Sequence, residues 1–273
     1  MGKVANRIKR IEIMSLWSGR KHIVWELKPE VNILSGVNGV GKSTILNKLV
    51  HRLNTTGGDF GGGTMLGVKV DFEPSDATYV HFDVIRSFDR PLIPGERMEK
   101  LADGRVVTEL DWQLYQLQRK YLNYQVNVAN RMIEMLTSIE SDARERATEV
   151  SQAKSLFLDL INQLFSETGK EINRGSNELS FLQAGEELSA YQLSSGEKQM
   201  LVILLTVLVQ DRQPYVLFMD EPEVSLHIEW QKQLIDLIRE VNPNVQIILT
   251  THSPAVIMNG WIDTVTEVSD ITD

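Results

Sequence analysis

One ten-residue stretch, SGVNGVGKST at residues 35–44, restricts this chain more than any other. It follows the short apolar run Val31–Leu34 and precedes an amphipathic pattern, about Ser43 to Leu53, with Ile45, Leu46, Leu49 and Val50 on one face. Strand, glycine loop and helix in that order are what a phosphate-binding loop requires. Gly36, Gly39 and Gly41 let backbone N–H groups converge on an anion without interference from a Cβ. The helix that follows points its positive end at the same place. Lys42 can reach the β- and γ-phosphates of a nucleotide, and the Ser43 hydroxyl can ligate Mg²⁺. The stretch therefore predicts a nucleotide-phosphate and Mg²⁺ site over Gly36, Asn38, Gly39, Val40, Gly41, Lys42, Ser43 and Thr44.

Three further motifs gain meaning from that loop. YVLFMDEPE, residues 215–223, is an apolar strand that ends in two adjacent carboxylates. At a strand end Asp220 can hold Mg²⁺ through water opposite Ser43. Glu221 can orient and deprotonate the water that phosphoryl transfer needs in line. The bland alternative is that both merely cap the next helix. LSSGEKQ, residues 193–199, opens a long helix with free backbone N–H groups and hydroxyls, a second anion site by position, although many helices begin with Ser and Gly. TTHSP, residues 250–254, places His252 after a buried strand, where a neutral imidazole could sense a γ-phosphate or simply be structural.

The remaining pattern alternates strands with helices and predicts a mainly parallel sheet with helices on its faces. Ile8–Leu16 and Ile23–Leu27 read as an antiparallel hairpin turning at Ser18-Gly19. Val68–Phe72 and Thr78–Ile85 read as strands, the glycine-rich stretch 56–67 as a surface loop, and Pro91–Arg105 as a polar loop or short hairpin. A helical pattern runs from Leu110 to about Ile139. In it Trp112, Tyr115, Tyr121, Leu122, Tyr124, Val128, Met132 and Met135 recur at helical spacing, as packing rather than as a ligand box. The charged stretch ESDARERATE, residues 140–149, is expected to join this helix to another at Gln152–Phe165. Short strands with a turn at Ala184-Gly185, a helix over Ser195–Gln210, a helix over Leu226–Val241, a strand over Val245–Thr250 and a short helix from Pro254 complete the chain. One composite domain is expected: residues 1–109 as the first part of the core, 110–170 as an inserted helical lobe, and 171–273 as the second part.

Bulk composition narrows the setting. The 273 residues carry a formal net charge of −9 and no cysteine, which excludes disulfides, thiolate metal sites and a cysteine nucleophile, and fits a cytoplasmic location. A dedicated nucleic-acid binder usually shows a basic excess, so DNA contact would need a local patch or a partner chain. Lys3, Arg7, Lys9, Arg10, Arg20 and Lys21 make the first segment basic, which is also what solvated strand ends look like. No apolar run approaches the ~18 residues of a membrane span, and the longest, Met200–Val209, reads as a buried helix.

In this order, GVNGVGKS, LSSGEKQ, VLFMDEPE and TTHSP resemble the Walker A, signature, Walker B and switch-histidine motifs of the ABC ATPase superfamily. The resemblance covers about residues 8–55 and 171–270. Glu197-Lys198 after the signature glycine, and the run from Glu221 to His227, resemble the soluble branch that includes SMC, Rad50, RecF and OLD-type ATPases. The resemblance implies a P-loop NTPase of ABC type, with N-terminal antiparallel strands and an inserted helical lobe. It implies a homodimer that sandwiches two ATPs, with Ser194, Ser195, Gly196 and Glu197 contacting nucleotide held by the other subunit. Lys42, Glu221 and His252 would be catalytic, and Ser43 and Asp220 would hold Mg²⁺. This sequence departs from the family pattern at Ser195, where a glycine is common, and at His227, where transporter ATPases carry an aspartate. Gln113, Gln116 and Gln118 are candidates for the family's Q-loop glutamine or are surface residues, and Trp17 could stack on adenine or pack in the core.

The function expected is an ATP-driven switch acting on a separate effector, a nuclease being one class, in anti-phage defence or DNA repair. The alternatives are the nucleotide-binding subunit of a membrane transporter, disfavoured by the long separation of Lys42 from Ser194, and an ATP sensor that scarcely turns over, disfavoured by an intact Glu221.

Overall fold

The structure is a computed structural model that describes residues 2–16, 21–55, 67–86, 105–137 and 142–272. Chain contacts divide it into two units, Met1–Ser87 with Gln213–Ile235 and Asn244–Asp273, and Phe88–Arg212 with Asp236–Pro243.

The first unit begins with β1 (Val4–Ala5), β2 (Arg7–Leu16), β3 (Lys21–Glu26) and β4 (Val31–Ser35). It continues through α1 (Lys42–Thr55), β5 (Val68–Glu73), β6 (Tyr79–Val80) and β7 (Phe82–Arg86). An antiparallel sheet in the order β3-β2-β5 carries Ile8, Ile11 and Ile13 fully buried; Ile11 and Ile13 keep the period-2 spacing of a half-buried sheet, and the three-residue step from Ile8 spans the register shift between Ile8 and Arg10. The expected strand over Thr78–Ile85 is two: β6 pairs in parallel with β1, and β7 joins a different sheet. His81 lies between them, with its carbonyl accepting from Val216 N at 2.9 Å. The cationic side chains of the first segment meet carboxylates: Arg10 lies 3.0 Å from both Glu12 and Glu26, Arg7 pairs with Glu73, and Lys3 with Asp76. The expected turn at Ser18-Gly19, Trp17, Arg20, the 56–66 loop and most of the Pro91–Arg105 segment lie outside the described residues.

The second unit holds α2 (Glu109–Thr137), α3 (Ala143–Phe165), β8 (Lys170–Ile172), β9 (Ser180–Gln183), β10 (Glu186–Ser189) and α4 (Ser195–Val209). The chain then supplies β11 (Tyr215–Asp220) to the first unit, passes through α5 (Ile228–Val241), and returns as β12 (Val245–Thr250), α6 (Pro254–Met258) and β13 (Val265–Glu267). The principal sheet, all in the first unit, is five-stranded and parallel throughout, in the order β13-β4-β12-β11-β7. This is the α/β P-loop architecture anticipated from the motif order. The residues of β11 and β12 are apolar and buried almost without break, as a sheet covered on both faces requires.

Two sequence expectations change in the second unit. The charged stretch 140–149 is not a joint: α3 already begins at Ala143, because Ala, Arg and Glu are good helix formers and their exposed charges cost nothing. Nor is the aromatic pattern of α2 one packing face. Tyr121 and Tyr124 are buried, with Tyr121 packed 6.5 Å from the Phe157 ring of α3, whereas Leu122 lies on the exposed side. Burial pushes the Tyr121 and Tyr124 hydroxyls up to about 12. Gln118, a surface candidate by sequence, is 7% exposed, and its amide donates to the Tyr191 hydroxyl at 3.2 Å. Ala184 and Gly185 form the expected tight turn between β9 and β10, both at positive φ (51° and 86°).

Helix α4 is buried at every position from Met200 to Leu208. Its first turn carries charge inward. Lys198 Nζ donates to Asp111 Oδ1 at 2.8 Å, and Asp111 is 0% exposed. The other oxygen of Asp111 accepts from the amides of Val107 (3.1 Å) and Thr108 (3.0 Å), so one carboxylate caps α2 and anchors α4. Removing one member of a buried pair strands the other's charge. Asp111→Ala should therefore cost about 3–5 kcal/mol in urea denaturation, and adding Lys198→Met should recover much of that loss.

Candidate functional site

Register along the parallel sheet brings three strand ends to one level. Asp220 pairs with Thr250 across β11 and β12, and Thr250 pairs with Leu34 across β12 and β4. The segments leaving these ends, Ser35–Gly41, Glu221–His227 and Thr251–Ser253, therefore emerge side by side, where open parallel sheets bind ligands.

Gly36 and Gly41 sit at φ +146° and +105°, and a Cβ at Gly36 would lie 2.9 Å from Val40 Cγ1, so neither position accepts a side chain without strain. Ile45 N is the first amide to bond back into the helix, to Gly41 O at 2.9 Å, which leaves the preceding amides of α1 for an anion. Asn38, Gly39 and Thr44 are exposed, and Gly36, Val40, Gly41 and Ser43 are half-buried, on the loop rim.

Lys42 is 4% exposed. Its ammonium donates to the loop carbonyls of Gly36 (3.0 Å) and Val37 (3.4 Å) and lies 2.6 Å from His252 Nε2. Burial pulls the Lys42 amine below its ordinary value, against the opposing pull of the Glu221, Asp220 and Glu223 carboxylates. His252 Nε2 is also 3.2 Å from Glu221 Oε1. A bare Nε2 accepts from Lys42 and an Nε2–H donates to Glu221, so the two contacts exclude one another. Glu221 itself sits at φ +48°, uncommon for a residue with a Cβ, with its amide donating to both Thr250 O and Thr250 Oγ1 at 3.1 Å.

Ser43 Oγ donates to Asp220 Oδ1 at 2.9 Å, and Thr250 Oγ1 donates to the same oxygen. A hydroxyl and a carboxylate held together at the mouth of a phosphate cradle are hard oxygen donors, the set that Mg²⁺ takes. The residues present thus fit both a triphosphate and its magnesium ion. His227 Nδ1 accepts from Glu229 N at 3.4 Å at the start of α5.

The signature stretch, in the second unit, begins α4 with a complete capping box. Ser194 Oγ accepts from Glu197 N, and Glu197 Oε2 accepts from Ser194 N (2.9 Å) and Ser194 Oγ (2.8 Å). Ser194 and Ser195 are exposed and Gly196 is half-buried, so this loop faces outward. Glu197, expected to contact ligand, is bonded within the chain. It is 2% exposed, and its Oε1 accepts from Thr168 Oγ1 (2.8 Å) and Lys170 Nζ (2.9 Å), so its acceptors are used within the chain. Burial alone would push this carboxyl up, but the bonds from Lys170, Ser194 and Thr168 outweigh it and hold it below the usual 4.5. Sequence reasoning assigned no role to Thr250, Glu223 or Gln231; Thr250 and Glu223 lie inside the stretches TTHSP and YVLFMDEPE, but a polar side chain does not by itself say which partner it meets.

A family model described as "AAA domain, putative AbiEii toxin, Type IV TA system" matches residues 125–259. A relative named "Retron Vc95 probable ATPase", from Vibrio cholerae serotype O1 biovar El Tor, is 33% identical over 91 residues, covering 29% of this chain and 18% of that protein. "Septu protein PtuA" of Bacillus thuringiensis is 23% identical over 279 residues, covering 85% of this chain and 68% of that one. The chain thus spans less than a fifth of the retron relative's length. Among solved structures, the SMC head bound to the C-winged helix domain of ScpA aligns over 92% of this chain and 91% of that one, at 14% identity and a TM-score of 0.49.

The Glu197 contribution has a definite sign with pH. Its folded value lies below the unfolded one, so the stabilisation is present above about pH 4.5 and lost as pH falls through the folded value. Wild type should exceed Glu197→Gln by about 1–3 kcal/mol at neutral pH, and denaturation curves below pH 4 should show the gap closing.

Proposed function

We propose that this ABC-type ATPase of the SMC and bacterial-defence branch closes two copies of itself around ATP, hydrolyses it, and passes the opening and closing motion to a separate effector. The observation that carries this reading is the convergence of Lys42, Ser43, Asp220, Glu221 and His252 at adjacent strand ends. Support for two copies comes from the exposure of Ser194 and Ser195 at the capped start of α4, with Gly196 half-buried beside them. In the dimer these residues would meet the γ-phosphate held by the other copy's glycine loop.

Within one site the roles follow from the contacts. Lys42 would exchange its loop carbonyls and His252 for the β- and γ-phosphates, since charge-assisted bonds to phosphate are stronger than bonds to neutral carbonyls. Released from Lys42, His252 Nε2 is free to carry a proton and donate to Glu221, fixing that carboxylate beside the attacking water. Glu221 would orient the water and take its proton. When bound, Mg²⁺ supplies neutralisation of charge on the phosphate oxygens, and Ser43 and Asp220 would hold it. Loss of the γ-phosphate removes the charge-assisted contacts between the copies, and the dimer opens.

The retron and Septu names of the relatives support bacterial defence as the setting, with an effector on another chain, a nuclease being one class that fits. The proposed location is the cytoplasm, where ATP is held and where a chain without cysteine has nothing to lose to a reducing pool. Among the described residues no helix is long and apolar enough to cross a membrane.

Two measurements test this. Lys42→Ala should weaken ATP binding about 10- to 150-fold in calorimetry, the value of a charged hydrogen bond to a triphosphate. Glu221→Gln should lower phosphate release by about 10²- to 10⁴-fold and accumulate an ATP-bound dimer in light scattering. A Glu221→Gln protein that stays monomeric with ATP and Mg²⁺ contradicts the dimer, and equal, near-zero release from wild type and variant identifies a sensor instead of an ATPase.

A further inference from the structure

The segment that carries His252 hangs largely on one carboxylate, the last residue of the stretch YVLFMDEPE. Glu223 lies two residues past Glu221 and is 7% exposed. Its Oε1 accepts from Thr251 Oγ1 (2.5 Å), His252 N (3.1 Å) and Ser253 N (3.3 Å). Its Oε2 is buried without a hydrogen-bond partner. A buried anion with one oxygen left unsatisfied is expensive for the fold, so its stabilising value alone does not account for it. What the arrangement does supply is a tie between two separate segments, the turn after β11 and the segment after β12.

A second tie runs beside it. Gln231 on α5 donates through Nε2 to the carbonyls of Glu223 (3.3 Å) and Leu226 (2.9 Å), and its Oε1 accepts from Ser253 Oγ at 2.6 Å. Both ties act on the backbone that bears His252, whose imidazole must reach Lys42 on one side and Glu221 on the other. Glu221 is held differently, by its amide to Thr250. The Glu223 side chain therefore sets the position of His252 relative to a Glu221 that is fixed independently. A displacement of about 1 Å at such a contact is enough to lose productive alignment.

We infer that Glu223 is a positioning residue for hydrolysis, holding the Thr251–Ser253 segment so that His252 meets Glu221. This rests on the ATPase reading above. Glu223 touches neither the nucleotide's phosphates nor the attacking water in this scheme, and it acts only through His252.

The test compares Glu223→Ala, Glu223→Asp and Glu223→Gln with His252→Ala in the full chain. Glu223→Ala and Glu223→Asp, which remove or withdraw the carboxylate, should lower kcat about 10- to 100-fold with KM for ATP and ATP affinity within about twofold of wild type. Glu223→Gln keeps an acceptor oxygen and should stay within about threefold. In the His252→Ala background, Glu223→Asp should add no further loss, because the two act as one unit. Unchanged kcat in Glu223→Asp, or a fully additive double variant, overturns the proposal. Amide hydrogen exchange at residues 252 and 253 reads the same proposal without turnover. It should quicken at least about tenfold in Glu223→Asp and stay near wild type in Glu223→Gln. If the wild type releases no phosphate, the ATPase reading fails, and exchange at these two amides decides the positioning role: equal rates in all variants overturn it.

Discussion

Parallel pairing of β4, β12 and β11 in one register is the constraint on which the site depends. Each strand contributes only an ordinary apolar run, but the register sets Leu34, Thr250 and Asp220 level with one another. A slip of two residues along β12 would keep every side chain on its face and still separate Asp220 from Ser43 and Thr250. The near-continuous apolar burial of β11 and β12 resists such a slip, because it would drive polar flanking residues into the core. The chemistry at the strand ends is thus held by hydrophobic packing a few residues away.

Charge inside the second unit serves a similar end. Glu197 and Lys198 are adjacent, of opposite sign, and both nearly buried, yet they do not pair with each other. Glu197 is held by Thr168 and Lys170, and Lys198 by Asp111 at the start of α2. The first turn of α4 is therefore fixed from two directions, while Ser194 and Ser195 just before it remain exposed. Little conformational freedom is therefore left at the start of α4, and in the proposed dimer that would lower the entropy lost on meeting a ligand.

His252 is the point where the two states of the site compete. Its Nε2 lies within reach of an ammonium and a carboxylate, and one nitrogen cannot serve both at once. The buried Lys42 amine, drawn downward by desolvation, has reason to keep neutral acceptors close until a stronger anion replaces them. The cluster of Glu221, Asp220 and Glu223 opposes that downward pull.

Much of this was legible in the sequence. The phosphate loop, the carboxylate pair at the end of β11, the helix opening at Ser195 and the histidine after β12 are each short-range patterns, in which backbone conformation and neighbouring residue type carry the information. The parallel sheet followed from alternating strands and helices. What could not be read was where polar groups find their partners. Nothing local showed that Glu197 is a buried cap; Gln118 looked like surface and is buried against Tyr191; the charged start of α3 looked like a joint and is helix. Thr250 and Glu223 lie inside the quoted stretches TTHSP and YVLFMDEPE, yet nothing local named their partners. Local sequence determines which conformations the chain can adopt, whereas a buried hydrogen bond depends on residues far apart in the chain, such as Glu223 and Ser253, meeting once the sheet has aligned its strands.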